Sequence, residues 1–174
     1  MAHQRHLLQT HDIVLYADAD EIMVPRQGDL ANFLKAFRGE SARATAYDIV
    51  HDVESEPNLD LSLPVLSQRK YWVRNDFYDK TLLSRVPLSW TAGFHRTLDD
   101  CVAIENELYL LHFHRMDFRL CWEKHKRIAT EAKFDPNVHP SISRQYRITD
   151  LEVFKKEYFF TGGLQHRDLF EGLI

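Results

Sequence analysis

The chain has 174 residues, 44% of them hydrophobic and 28% charged, and its 22 basic against 26 acidic side chains leave a formal charge of −4 with histidine neutral. That is enough apolar material for one domain with a real core, but it offers no dense basic face for a nucleic-acid partner and no apolar run near the roughly 20 residues that span a bilayer. Two cysteines, Cys101 and Cys121, are too few for a disulfide scaffold and read as reduced packing thiols in a cytoplasmic setting, with peripheral membrane contact left open.

The opening Met1-Ala2-His3-Gln4-Arg5-His6 lacks the apolar core of a signal peptide. Residues 2–10 read as a short helix. The run Asp12-Ile13-Val14-Leu15-Tyr16-Ala17 then reads as a strand buried on both faces, as in a parallel sheet covered by helices. It stops in three acids within four positions, Asp18, Asp20 and Glu21. Ligands of open α/β sheets bind at the carboxyl ends of strands, so this is the first place to look for a site.

After Pro25 and Gly28, Asp29 is placed to cap a helix with Leu30, Phe33, Leu34 and Phe37 on one face, stopped by Gly39. Residues 43–51 read as a strand, and Glu54 through Pro64 as a long polar loop. Lys80 to Val86 reads as another strand, ended by Pro87, and Trp90 to Arg96 as a turn-rich segment around Gly93. Glu107 to His114 alternates as a strand, with Leu108, Leu110, His112 and His114 on one face. A helix is expected from Asp117 to about Phe134. A last one starts at the capping box Thr149-Asp150-Leu151-Glu152, buries Leu151, Phe154 and Tyr158, and ends before Gly162-Gly163. The pattern contains no internal repeat and no linker, which predicts a single α/β unit over residues 1–174.

Chemistry concentrates in a few places. Carboxylates two apart at a strand end, as in Asp18-Ala19-Asp20, can converge on one hard cation. A sugar-nucleotide diphosphate needs such a cation, because the charge of the leaving group must be neutralised as the glycosidic bond breaks. His112, with His114 close by, is placed to add an imidazole ligand to the same metal. Lys80 and Arg85 carry charge suited to a diphosphate, and the segment from Trp90 to His95 offers an indole that can stack on a sugar ring. An inverting reaction also needs a base for the acceptor hydroxyl; Asp99, Asp100 and Glu105 are the nearby carboxylates, with Glu105 preferred.

In order, these segments resemble a group of bacterial glycosyltransferases of the family-two type with the glycosyltransferase-A fold. The pieces that carry the resemblance are Val14-Leu15-Tyr16-Ala17-Asp18-Ala19-Asp20-Glu21, Glu56-Pro57, Leu66-Ser67-Gln68-Arg69, Tyr78-Asp79-Lys80, Trp90-Thr91-Ala92-Gly93-Phe94-His95 and Leu110 through Asp117, covering roughly residues 5 to 130. The resemblance implies a mixed β-sheet flanked by helices, a nucleotide-diphosphate sugar donor, a glycan acceptor as in surface polysaccharide synthesis, and Mn²⁺ or Mg²⁺. It implies Asp20 as the direct metal ligand, Asp18 at the ribose or the metal's water shell, and His112 at the metal or diphosphate. Only 17 residues precede Asp18, so the βαβ units that would grip the nucleotide are expected to be missing. Two other readings compete. One is a haloacid-dehalogenase-like phosphohydrolase, whose nucleophile strand also ends in Asp-x-Asp. The other is a non-catalytic remnant that binds carbohydrate or a partner protein.

Overall fold

The computed structural model describes residues 2–91, 94–99, 103–131, 148–159 and 165–166, of which 2, 103–106, 131, 159, 165 and 166 are described by backbone alone. The elements in chain order are α1 (Ala2–Leu7), β1 (Val14–Leu15), β2 (Glu21–Pro25), α2 (Leu30–Ala36), β3 (Ser41–Val50), α3 (Val65–Gln68), β4 (Tyr71–Arg74), a 3-10 turn (Asp76–Tyr78), β5 (Lys80–Ser84), β6 (Ala103–His112), α4 (Phe118–Glu131), α5 (Leu151–Phe159) and β7 (Gln165–His166). This is a mixed α/β protein. The described residues divide into two compact units, one within Met1–Asp48 and Arg74–Phe113, the other within Ile49–Val73 and His114–His166.

In the first unit the strand order is β1-β5-β3-β6-β2, with β3 and β6 parallel and every other pair antiparallel. The core face of this sheet is set by two-residue periodicity. Met23 of β2, Leu108 and Leu110 of β6, and Ala42, Ala44 and Ala46 of β3 are all buried on it, packed with Phe37, Leu82 and Leu83. The rings of Tyr16, Phe33 and Tyr78 pack against this cluster. α2 starts where Asp29 accepts a hydrogen bond from the Asn32 backbone N–H at 2.8 Å, as its sequence position predicts.

β1 departs from expectation. It is two residues long, antiparallel to β5, and Leu15 is 37% exposed, so it is neither parallel nor buried on both faces. An apolar run states only that burial is affordable; which neighbour it pairs with depends on segments far away in sequence. β2 was hidden for a related reason. Glu21, read as the end of one strand, begins the next, and its alternation (Glu21, Met23 and Pro25 buried, Ile22 49% exposed) spans only five residues.

In the second unit Val50, Val73, Cys121, Phe154 and Tyr158 form the core, with Phe118, Trp122 and Ile148 against it. β4 pairs with β7 through Tyr71–His166 and Trp72–Gln165. Asp117 caps α4 by accepting from the Leu120 N–H at 3.0 Å. The polar loop from 54 to 64 is ordered by a buried network. Asp117 accepts from the Leu59 N–H at 2.7 Å and from Arg69 Nη2 at 3.3 Å, and Arg69 also donates to the Pro57 and Met116 carbonyls. Glu56 accepts from the backbone N–H groups of Asp52 and Lys70. α5 is capped by Asp150, which accepts from the Val153 N–H at 2.9 Å, rather than by Thr149 of the expected box. Phe154 and Tyr158 are buried as expected, but Leu151 is 39% exposed. The expected continuation of α4 beyond 131, and the stop at Gly162-Gly163, lie outside the described residues. No described helix is long and apolar enough to cross a membrane.

Candidate functional site

One row across the sheet of the first unit is polar where its neighbours are apolar. Glu21 stands opposite His112 in the β2–β6 register, and His112 opposite Asp48 in the β6–β3 register. The same registers place Met23, Leu110 and Ala46 in the row beneath. Three strands that share an apolar face therefore end it together on a carboxylate, an imidazole and a carboxylate. All three side chains are buried, and buried ionisable groups persist only when paired or hydrogen-bonded.

Each has a partner. His112 Nδ1 lies 2.7 Å from Asp48 Oδ1, and the other Asp48 oxygen accepts from Asn75 Nδ2 at 2.8 Å. His112 Nε2 faces the Asp20 carboxylate at 3.9 Å. The Asp20 backbone is fixed to the same strand end, because its carbonyl accepts from the Phe113 N–H at 2.8 Å. Glu21 receives the Asp18 N–H on one oxygen at 3.0 Å and the Lys80 ammonium on the other at 2.5 Å.

Lys80 arrives from β5, where it pairs with Ala44 of β3. Its ammonium also reaches Asp18 Oδ2 at 2.8 Å. Burial alone would lower the Lys80 pKa, but its hydrogen bonds to Asp18 and Glu21 win and raise it, so the ammonium stays charged. Burial would likewise raise the Asp18 carboxyl; hydrogen bonds from Lys80 and Tyr16, the latter at 2.6 Å, outweigh it and hold the group below the usual carboxylate range. Tyr16 itself is pushed up to about 12, by burial first and then by the hydrogen bond and negative charge of Asp18.

An aromatic cluster surrounds these charges. The Tyr78 ring lies 4.4 Å from the His112 ring and 5.6 Å from that of His95, with Lys80 Nζ 5.9 Å from its centroid. His95 also meets Phe77 at 4.8 Å. Its Nδ1 is buried without a hydrogen-bond partner among the described residues. Burial, followed by the nearby Lys80 charge, lowers its pKa, so it stands neutral at physiological pH. Phe94 holds φ at 61°, a strained value for a bulky residue, and stacks on Tyr16 at 4.4 Å. A cavity of about 290 Å³ opens beside this stack, lined in part by Leu15, Tyr16, Leu82, Trp90 and Phe94.

Of the residues marked in the sequence, Asp18, Asp20, Lys80, His95 and His112 therefore gather around Glu21 and Tyr78. Trp90 is 7% exposed, donates its indole N–H to the Thr81 carbonyl at 3.2 Å, and lines the cavity. Arg85 is tied to the end of α2, donating to the Phe37 carbonyl at 3.2 Å. Asp99 accepts from the Ser89 N–H. Asp100 and the Glu105 side chain lie outside the described residues; the Glu105 backbone belongs to β6. His114 falls beyond the end of β6 and in the second unit.

Asp48, Asn75 and Tyr78 were not marked as site residues by sequence reasoning. A single acid inside the strand-like string Ala44-Thr45-Ala46-Tyr47-Asp48-Ile49 was the available signal for the first. An acid on the buried face of an otherwise apolar strand must find a partner. No protein-family model, curated protein or solved structure matches the chain.

Proposed function

We propose that the chain is the cation-binding and acceptor-side portion of a metal-dependent glycosyltransferase, moving a sugar from a nucleotide-diphosphate donor to a glycan hydroxyl, as in surface polysaccharide synthesis. The observation that supports it most is the line Asp48–His112–Asp20. A histidine that ligates a metal typically gives its other ring nitrogen to a carboxylate, which fixes its orientation. Here Nδ1 meets Asp48 at 2.7 Å while Nε2 faces the Asp20 carboxylate at 3.9 Å.

The donor set fits the group. Asp20 and His112 would hold the cation, and an oxygen-plus-imidazole set suits Mn²⁺ better than Mg²⁺. When bound, such a cation supplies charge neutralisation for a diphosphate leaving group. Asp18 and Glu21 act differently. Both are hydrogen-bonded by Lys80, so they hold a permanent ammonium at the edge of the site and keep it charged. Lys80 offsets part of the negative charge of Asp18 and Glu21, and ionised Asp18 is left to a donor hydroxyl or the cation's water shell. His95, neutral and beside Tyr78, can accept or donate one hydrogen bond without adding charge. The cavity beside Tyr16 and Trp90 offers aromatic walls of the kind that receive a sugar face. The glycosyltransferase-A fold and the donor class come from the resemblance of the ordered segments, and the site geometry is compatible with both.

A second reading, a carbohydrate-binding protein without turnover, is favoured by one observation: Lys80 already occupies two of the three clustered acids, pairing with both Asp18 and Glu21. Calorimetry with a panel of uridine- and guanosine-diphosphate sugars separates the two. The enzyme reading expects binding that requires Mn²⁺, is abolished by chelation, and is lost in Asp20→Ala. Binding of a free glycan that ignores both the chelator and Asp20→Ala supports the second reading instead.

A further inference from the structure

We propose that His114, Cys121 and His125 of the second unit form a transition-metal site suited to Zn²⁺. Their ligand atoms lie within 4.8 Å of one another. His114 Nε2 is 3.1 Å from His125 Nε2 and 3.8 Å from Cys121 Sγ. With metal–nitrogen bonds of about 2.0–2.1 Å and metal–sulfur bonds of about 2.3 Å, a tetrahedral site has edges of about 3.4 Å between nitrogens and about 3.6 Å between nitrogen and sulfur. The two distances from His114 are thus within a few tenths of an ångström of tetrahedral edges, and the Cys121–His125 separation is at most 4.8 Å.

The local sequence explains the convergence. Cys121 and His125 are four apart on α4, so both project from one helix face onto the same spot. His114 lies just beyond the end of β6, in the turn before Asp117 starts that helix, and this brings its ring across the helix's first turns. Cys121 is 4% and His125 3% exposed, whereas His114 is half-buried. Phe154 covers the His125 ring at 4.9 Å and contacts Phe118 and Tyr158. Such an apolar shell strengthens metal–ligand attraction by excluding water.

One thiolate with two imidazoles selects Zn²⁺ or another borderline-soft ion over Mn²⁺ and Mg²⁺. Three protein donors leave the fourth tetrahedral position to water or a small anion. Binding replaces the Cys121 S–H proton, released to buffer, with a metal–sulfur bond. It would also tie the His114 turn to α4.

Titration of the full metal-free chain with Co²⁺ tests this directly, because a cobalt–thiolate bond gives a charge-transfer band in the near ultraviolet that oxygen and imidazole ligands do not. The expected result is a band saturating at one equivalent and displaced by Zn²⁺, retained in Cys101→Ser, and lost in Cys121→Ser. His125→Gln should weaken Co²⁺ binding by about 100-fold or more, since loss of even an outer-shell partner costs 10–100-fold. No band in the folded wild-type chain at saturating Co²⁺, or a band that survives Cys121→Ser, overturns the proposal. Alkylation followed by peptide mass spectrometry gives a readout that needs no variant. Zn²⁺ should protect Cys121, and equal modification with and without Zn²⁺ overturns the site.

Discussion

Lys80 Nζ and Glu21 Oε1 lie 2.5 Å apart with side chains 2% and 1% exposed, a fully buried ion pair at the edge of the first unit's core. Removing one partner of such a pair leaves the other charge buried and uncompensated, which costs about 3–5 kcal/mol, whereas replacing both by apolar groups is often neutral. Lys80→Ala should therefore lower stability by about 3–5 kcal/mol, and Lys80→Met combined with Glu21→Leu should recover much of that loss. Urea unfolding reads both. A single variant that unfolds at the wild-type midpoint would show that the pair carries no such energy.

The bond between His112 and Asp48 carries a different expectation. If Asp48 orients the imidazole for a cation, Asp48→Asn should weaken Mn²⁺ binding by about 10–100-fold. The amide keeps the size and one acceptor, so the fold should persist. Paramagnetic titration of Mn²⁺ checks the affinity, and circular dichroism checks the fold. Unchanged affinity in a folded variant would remove Asp48 from the site.

The pH dependence has a definite sign on each side. Asp18 is depressed in the folded state, so its contribution is present above the ordinary carboxylate value of 3.8 and is lost as pH falls through the lower folded value. Tyr16 is raised from 10.0 to about 12. The unfolded chain then loses its phenolic proton first, and stability falls as pH rises through that window. Lys80, also raised, adds to the alkaline loss. Urea midpoints measured from pH 10 to about 12 should fall less steeply in Tyr16→Phe than in the wild type. Equal slopes would contradict the Tyr16–Asp18 bond.

In the second unit, Asp117 joins a helix cap to a buried Arg69, both side chains 0% exposed. Asp117→Ala should cost about 3–5 kcal/mol, because Arg69 would stay buried without its carboxylate. It should also release the loop that Leu59 anchors. Thermal unfolding gives the first quantity, and hydrogen exchange at the Leu59 amide gives the second. A wild-type melting temperature with a protected amide would refute both.

How much of this was visible in the sequence depends on how far apart the partners lie. The acids at Asp18, Asp20 and Glu21 were legible because they sit together, and the Asp29 cap because a cap is a local bond. The Glu21–His112–Asp48 row was not, since it follows from strand registers that join segments remote in the chain. The same applies to Lys80. Its charge suggested a diphosphate contact, while its burial against Glu21 depends on the pairing of β5 with β3. β1 was misread because an apolar run looks alike on a central parallel strand and on a short antiparallel one. His114 lies two residues past the end of β6 at His112. That end is what frees His114 to meet Cys121 and His125.

The claim that Asp20 and His112 hold a divalent cation is tested most directly by electron paramagnetic titration of Mn²⁺ into the wild-type chain, Asp20→Asn and His112→Gln, with Zn²⁺ supplied beforehand to occupy any thiolate site. The account expects one Mn²⁺ bound by the wild-type chain and affinity reduced by about 100-fold or more in each variant, above what loss of an outer-shell partner costs. Equal Mn²⁺ affinity in all three proteins would contradict it.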